Sequence, residues 1–243
     1  MADEGTRAPD VSPSFYYNQL AILAGTIIRY GRKSNARSLL DIGSGRIEVA
    51  YPISQSVDRY VGVEQDAEVV RGLRRVGLDV IEATFPAGLE ALENQRFDLV
   101  VASHSIPEAG WQAYEPFLDR AWDFVAPSGV LLIITFKGAH DSPMLQVREE
   151  LLNRTVEPDD RYTAMMERLA TYGRVEVEKQ RSHVTTDQFS DIGAFFGGLL
   201  WTSPEEERMR TPQLRQIADR RFREGERFCI PTDHLVIATS KRS

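Results

Sequence analysis

RSLLDIGSGRIEVAYPISQSVDRYVGVE, residues 37–64, is the most informative stretch of this 243-residue chain. An apolar run from Ser38 to Ile42 meets Gly43-Ser44-Gly45, and a helix-compatible stretch follows. A second apolar run, Tyr60 to Val63, ends in Glu64. This is the order of a strand, a tight glycine turn, a helix and a second parallel strand with an acid at its C-terminal end. Gly43 and Gly45 permit positive backbone dihedrals and let a ligand approach the main chain with no Cβ in the way. The start of the helix offers N–H groups that have no intrahelical partner. Glu64, about 20 residues beyond the turn, is spaced to accept hydrogen bonds from a ribose diol. Together these features imply an adenosine-containing ligand.

The glycine spacing narrows the choice of ligand. A dinucleotide site calls for G-x-G-x-x-G, the third glycine allowing close helix–strand packing beneath a pyrophosphate. Here Gly45 is followed by Arg46, Ile47 and Glu48, so that glycine is missing. Asp41, two residues before the first glycine, is a poor neighbour for a pyrophosphate. It suits a cationic ligand better, either directly or by orienting the loop. Asp41-Ile42-Gly43-Ser44-Gly45-Arg46-Ile47 resembles motif I of the class I S-adenosylmethionine-dependent methyltransferases, an acid, any residue, then G-x-G-x-G. Ile47 stands where the family pattern has its third glycine, and Pro52 in the following helix matches a common form of that helix. The resemblance covers most of residues 37–136 by motif and the remainder only by order of elements. It implies S-adenosyl-L-methionine as cofactor and S-adenosyl-L-homocysteine as product.

Composition sets outer bounds. Hydrophobic content of 42% and charged content of 27% are ordinary for a globular chain. The net charge of −7 speaks against a surface that tracks phosphates, so no nucleic-acid partner is expected. Arg71, Arg74 and Arg75 read as a solvated helix face. Cys229 is the single cysteine, which excludes an intrachain disulfide and a cysteine-rich zinc site. The start, MADEGTRAPDVSPS, lacks an apolar signal core, and no run approaches the ~20 apolar residues that span a bilayer. The expectation is a cytoplasmic protein with no membrane partner, present as a monomer or homodimer.

The expected fold is α/β, a three-layer αβα sandwich with a mostly parallel seven-stranded sheet whose last strand is antiparallel. Residues 1–13 read as a mobile tail and 14–243 as a single domain. Within it, 14–36 form an N-terminal lid helix, its periodicity running from Phe15 to Tyr30, and 37–136 the cofactor-binding core. Residues 137–226 are helical substrate-side insertions around the sixth strand, and 227–243 carry the final strand. In the core, Asp66 caps a helix from Ala67, Leu78 to Ala83 is a strand, and a short helix follows Pro86. A strand runs from Phe97 to about Ala102 and a helix from Tyr114 to Val125. Pro127-Ser128-Gly129 reads as a turn before a strand ending at Phe136. Two helices between Pro143 and Tyr172, a strand from Gly173 to Val177, a helical stretch from Thr186 to Arg223 and a strand from Leu235 to Thr239 complete the order. The family resembled inserts its last, antiparallel strand between the fifth and sixth.

The resemblance assigns roles residue by residue. Asp41, Gly43, Ser44, Gly45, Glu64 and Gln65 fall at its cofactor positions, as do Ala83, Thr84 and Ser103. Glu82 or Thr84 stands where the family has its adenine acid, and Phe85 is either a ring on the adenine or a packed core aromatic. His104 ends the fourth strand, the position that faces the methyl group in related proteins. It is the candidate catalytic residue, taking a proton from a hydroxyl or orienting an amine, against the plainer role of a polar residue lining the cleft. Tyr16, Tyr17, His104, Phe136 and Trp201 are candidate substrate contacts. The aromatic spacing of Phe189, Phe195, Phe196 and Trp201 is more often that of a buried helix face than of a cleft wall. No Asp/Asn-Pro-Pro-Tyr/Phe follows the fourth strand and no Asp-Asn pair follows the fifth. His140-Asp141 is a lone pair, so no metal is expected. His183 and His234 read as structural, the other reading being that Asp233-His234, just before the last strand, reaches the cleft. The function implied is metal-independent methyl transfer to an oxygen or nitrogen of a small molecule by direct in-line displacement. The alternatives are a non-catalytic S-adenosylmethionine-binding partner subunit and a nucleotide-dependent oxidoreductase, the latter disfavoured by the missing glycine.

Overall fold

The computed structural model describes residues 16–106, 111–135, 143–153, 160–193 and 204–241. The strands are β1 (Tyr16–Tyr17), β2 (Ser38–Ile42), β3 (Arg59–Glu64), β4 (Val80–Glu82), β5 (Phe97–Ser103), β6 (Val125–Thr135), β7 (Arg174–Thr186), β8 (Arg223–Glu224) and β9 (Arg227–Ser240). The helices are α1 (Gln19–Lys33), α2 (Ile47–Ser54), α3 (Ala67–Arg75), α4 (Trp111–Asp123), α5 (Pro143–Leu152), α6 (Asp160–Tyr172), α7 (189–193) and α8 (Pro204–Arg221). They divide between two compact units, one of residues 20–139, 158–180 and 234–243, the other of 1–19, 140–157 and 181–233.

The larger unit holds the glycine turn. Its short apolar runs become central strands because helices cover both sheet faces, so successive side chains are buried whichever way they point. Leu40, Ile42, Val61, Val63, Val100 and Ala102 meet Tyr114, Phe117 and Leu118 of α4 and Met165 and Leu169 of α6. On the opposite face Leu39, Tyr60, Leu99 and Val101 meet Leu23 and Ile27 of α1, Val49 and Ile53 of α2, and Val70 and Leu73 of α3. These are the three layers that the alternation predicts. The strand order is β7-β9-β6-β5-β2-β3-β4. β6-β5-β2-β3-β4 are parallel throughout, and β9 joins β6 antiparallel. From β2 the sheet grows outward through β3 and β4, and on its other side through β5 and β6. The C-terminal ends of β2 and β5 therefore flank the point where strand order reverses, where open α/β sheets bind ligands. Asp66 caps α3 as expected, accepting from the N–H groups of Glu68 at 2.7 Å and Val69 at 3.2 Å.

Several boundaries differ from the sequence reading. The helical periodicity does not make a helix of Tyr16 and Tyr17. Tyr16 and Tyr17 pair with Thr185 and Val184, and α1 begins only at Gln19. Asn18 makes the break, its N–H donating to the His183 carbonyl and its side chain accepting the His183 N–H at 2.7 Å. Pro127-Ser128-Gly129 lies inside β6, where pairing with β5 slips between Phe97↔Val125 and Leu99↔Val130. A Cβ on Gly129 would lie 2.9 Å from the Phe97 carbonyl oxygen, which explains a glycine at the slip. After Pro86 only a single 3-10 turn forms, Glu90–Leu92. β7 and β9 run to 13 and 14 residues, well beyond the apolar runs that signalled them, because charged residues continue both strands.

The smaller unit contains β1, α5, α7, α8, β8, residues 181–186 of β7 and 227–233 of β9. Its core is Val147, Leu151, Val184, Ile192, Leu214, Ile217, Phe222, Phe228 and Ile230, with Phe189 packed against it. Glu150 of α5 holds Arg220 and Arg221 of α8. Phe195, Phe196 and Trp201 lie outside the described residues, as do Phe136, His140 and Asp141. Among the described residues, no helix is long and apolar enough to cross a membrane.

Gly173 precedes β7 for a steric reason, since a Cβ there would stand 1.9 Å from the backbone oxygen of Ser240. Gly173→Ala forces the end of β9 to move and is expected to lower stability by about 2 kcal/mol or more, read from the urea midpoint at unchanged slope.

Candidate active site

The turn after β2 is fixed by main-chain bonds to β3. The N–H groups of Gly43 and Ser44 both donate to the Val63 carbonyl, at 2.8 and 3.2 Å. Gly43 adopts φ +78°, and a Cβ on it would come within 2.5 Å of the Ser105 Cβ. Only glycine satisfies both the dihedral and the approach. Ser44 turns beneath the loop, its hydroxyl donating to the Asp41 carbonyl at 3.1 Å. Gly62 in β3 makes room for it, because a Cβ there would lie 2.4 Å from the Ser44 oxygen. Ile47 opens α2 and is 39% exposed, so no close approach depends on that position.

A cavity of about 470 Å³ runs along the C-terminal ends of β2 to β5, within the range of small-molecule sites. β2 supplies Ile42 and Gly43, and β3 with its following residue supplies Val63, Glu64 and Gln65. Ala83, Thr84 and Phe85 follow β4, Ser103 to Ile106 end β5, and Phe117 comes from α4. Glu64 is preset by the backbone. One carboxylate oxygen accepts from Gly45 N–H at 3.1 Å, the other from Gln65 and Asp66 N–H at 2.8 and 2.9 Å. It is the one carboxylate among the described residues lining the cleft. Phe85 meets Phe117 edge-on with centroids 4.8 Å apart, so it is at once a cleft wall and a packed ring. The Ser105 hydroxyl is buried at this wall with no hydrogen-bond partner among the described residues. Such a group costs stability unless a ligand or water satisfies it.

No protein-family model and no curated protein sequence matches the chain. Its backbone, however, superposes on solved structures. The YcgJ protein of Bacillus subtilis matches with a TM-score of 0.57 over 91% of this chain and 98% of its own, at 14% identity. The plantazolicin methyltransferase BpumL, solved with S-adenosylhomocysteine, matches at 0.53 over 93% and 84%, at 10% identity. A precorrin-6y C5,15-methyltransferase from Geobacter metallireducens GS-15 matches at 0.50 over 92% and 86%, at 14% identity. The chain has the class I methyltransferase fold.

In this fold the sequence-assigned positions separate into groups. Gly43, Glu64, Gln65, Ala83, Thr84, Ser103 and His104 meet in the cleft. Gly45 reaches it through its N–H bond to Glu64. The side chains of Asp41 and Ser44 do not line it. Asp41 is buried on the sheet face covered by α1 to α3, where its side chain accepts the Tyr60 hydroxyl at 2.9 Å and ties β2 to β3. α1 packs its apolar face on that same layer, and none of its residues lines the cleft. Tyr16 and Tyr17 belong to the two-residue β1 of the smaller unit, while Phe136 and Trp201 fall outside the described residues. Ser105, Ile106 and Phe117 carry no local sequence signal for a site and were reached only through the fold.

His104 caps β5 in the left-handed region, φ +54°, with its N–H donating to the Ile134 carbonyl at 2.8 Å. Its ring Nε2 lies 3.1 Å from Nδ1 of His234, the rings crossing at 68°. His234, expected to be structural, is fully buried and holds the candidate catalytic ring. His104 is exposed on its cleft side. Desolvation on its protein side, then the charge of His234, hold its imidazole well below the ordinary range, hence neutral near pH 7.

Asp41 supplies a pH test. Burial first pushes its carboxyl up to about 6, the Tyr60 bond opposes this, and Glu64 adds to it. The folded chain therefore holds the proton where the unfolded chain has lost it, so this group's contribution to stability falls as pH rises from about 4 to 6. Asp41→Asn keeps an acceptor for Tyr60 and removes the titration. The stability difference between variant and wild type should shift toward the variant by about 2–3 kcal/mol across that interval, measured by denaturant unfolding at each pH.

Proposed function

We propose that the chain is an S-adenosyl-L-methionine-dependent methyltransferase that methylates an oxygen or nitrogen of a small molecule without a metal, with residues 37–136 as its cofactor-binding core. One observation carries this reading: Gly43, Glu64, Ala83, Thr84 and His104, from four separate strand ends, converge on one cleft at the switch point of the sheet. The residues present fit the cofactor. The open backbone at Gly43 admits a close ligand, the preset Glu64 carboxylate suits a ribose diol and carries charge opposite to a sulfonium, and the unpaired Ser105 hydroxyl awaits a polar group. The S-adenosylhomocysteine held by a neighbour of the same fold supports the same ligand.

Bound there, S-adenosylmethionine would supply a methyl group on a sulfonium, the carbon–sulfur electron pair staying with sulfur when an acceptor's lone pair takes the methyl. The chain's own task is alignment and exclusion of water, and positioning of this kind is worth several kcal/mol of barrier. Phe85 and Phe117 provide apolar wall, Glu64 orients, and His104 stands at the end of β5 where an acceptor's proton must go.

Calorimetric titration of the full chain with S-adenosylhomocysteine, with NADH in parallel, tests this. The former is expected to bind at micromolar concentration and the latter not at all. Gly43→Val and Glu64→Ala should each weaken binding by about tenfold or more, as loss of an open approach or of charge-assisted hydrogen bonds requires. NADH binding in place of S-adenosylhomocysteine, or no binding of either, overturns the reading.

A further inference from the structure

The cavity walls follow the strand order of the sheet. Ala83, Thr84 and Phe85 stand after β4, Glu64 and Gln65 at β3, Gly43 at β2 and Ser103 to Ile106 at β5. Neighbouring strands lie about 4.8 Å apart, so the ends of β3 and β5, with β2 between them, are separated by roughly 10 Å. A ligand whose ribose diol meets Glu64 and whose base turns toward β4 therefore extends its remaining end past Gly43 to the turn after β5. In S-adenosylhomocysteine that end is an amino acid, and the thioether chain between ribose and carboxylate is long enough for the span.

Ser105 stands at that turn. His104, at φ +54°, turns the chain at the end of β5, and the Ser105 Cβ lies against the bare α-carbon of Gly43, 2.5 Å from where a Cβ would stand. The Ser105 Oγ is 3.3 Å from the same point. Among the described residues this hydroxyl is buried without a hydrogen-bond partner, although Ser105 itself lines the cavity. Thr84 and Ser103 also bring hydroxyls to the lining, and neither shares that condition. Rotation about the single Cα–Cβ bond carries a serine hydroxyl between staggered positions, so it can turn to a ligand with no backbone shift. No lysine or arginine stands among the described lining residues, so an anionic group on the ligand is met by neutral donors.

Resting on the methyltransferase reading, we infer that Ser105 is a cofactor-binding residue whose hydroxyl donates to the carboxylate at the amino-acid end of S-adenosylmethionine. The hydroxyl proton has no acceptor among the described residues, and a carboxylate accepts a stronger bond than a neutral group does. Burial without a partner is a cost that the free chain carries and the bound chain loses. Ser105 thereby selects for the amino-acid end, since an adenosine thioether without the carboxylate gains nothing from it. Gly43 belongs to the same arrangement, because a side chain there would displace Ser105.

Calorimetric titration of the full chain, wild type and Ser105→Ala, with S-adenosylhomocysteine and with its decarboxylated analogue, which keeps the ammonium, tests this. Ser105→Ala should weaken S-adenosylhomocysteine binding by about tenfold, the size of one hydrogen bond to a charged group, and leave the affinity for the analogue as it was. Because the substitution removes a buried hydroxyl that has no partner, the urea midpoint of the ligand-free variant should equal or exceed that of wild type. Undiminished S-adenosylhomocysteine affinity overturns the inference, and so does an equal loss for both ligands, which places the contact elsewhere on the ligand. A lowered midpoint, or a variant that fails to fold, overturns it too, since the hydroxyl then serves the free chain. A wild type that binds neither ligand overturns the methyltransferase reading and the inference with it. A result against Ser105 in a wild type that binds leaves that reading standing.

Discussion

The space between Gly43 and Ser105 governs the cleft. The turn after β2 and the turn after β5 approach so closely that a Cβ at residue 43 would sit 2.5 Å from the Cβ of Ser105. The two main-chain bonds from Gly43 and Ser44 to the Val63 carbonyl hold the first turn down against β3. With that turn pinned, the N–H of Gly45 reaches the Glu64 carboxylate, and the acid is oriented before any ligand arrives. Pre-orientation of this sort removes part of the ordering cost from binding.

Charge in the cleft follows from burial and hydrogen bonding together. Asp41, on the far face of the sheet, is driven toward its neutral form, and Glu64 contributes to that shift from the cleft side. His104 is neutral near pH 7 for the same reason of lost hydration, with the charge of His234 adding to it. Glu64, held by three backbone N–H groups, is left as the carboxylate of the described cleft walls. One fixed carboxylate among the described lining residues suits a cationic ligand, whose attraction to Glu64 is not divided among other acids of the cleft wall.

Much of this was legible before the fold. The run from Ser38 to Glu64 states a strand, turn, helix and strand because each element has its own local cause: continuous apolar residues for a strand buried on both faces, glycine for a positive φ, Asp66 for a capped helix. The element breaks were less legible. Tyr16 and Tyr17 share the helical spacing of the residues after them, and only their pairing with Val184 and Thr185 turns them into a strand. Pro127-Ser128-Gly129 has the composition of a turn, yet β6 absorbs it as a slip in register against β5. In both cases a long-range partner outweighed local preference.

By itself, the sequence determined the order of strands and helices in the core, the glycine turn and the acid that faces it, since these depend on residues within about 20 positions of one another. Tertiary structure alone decided which face each residue serves. Asp41, two residues from the turn, points away from the cleft because side chains on a strand alternate. His234, distant in the chain, reaches His104 because the last strand runs antiparallel between its neighbours. A local pattern encodes what neighbours along the chain can enforce. Contact across 130 positions depends on strand order and direction, which no short pattern contains.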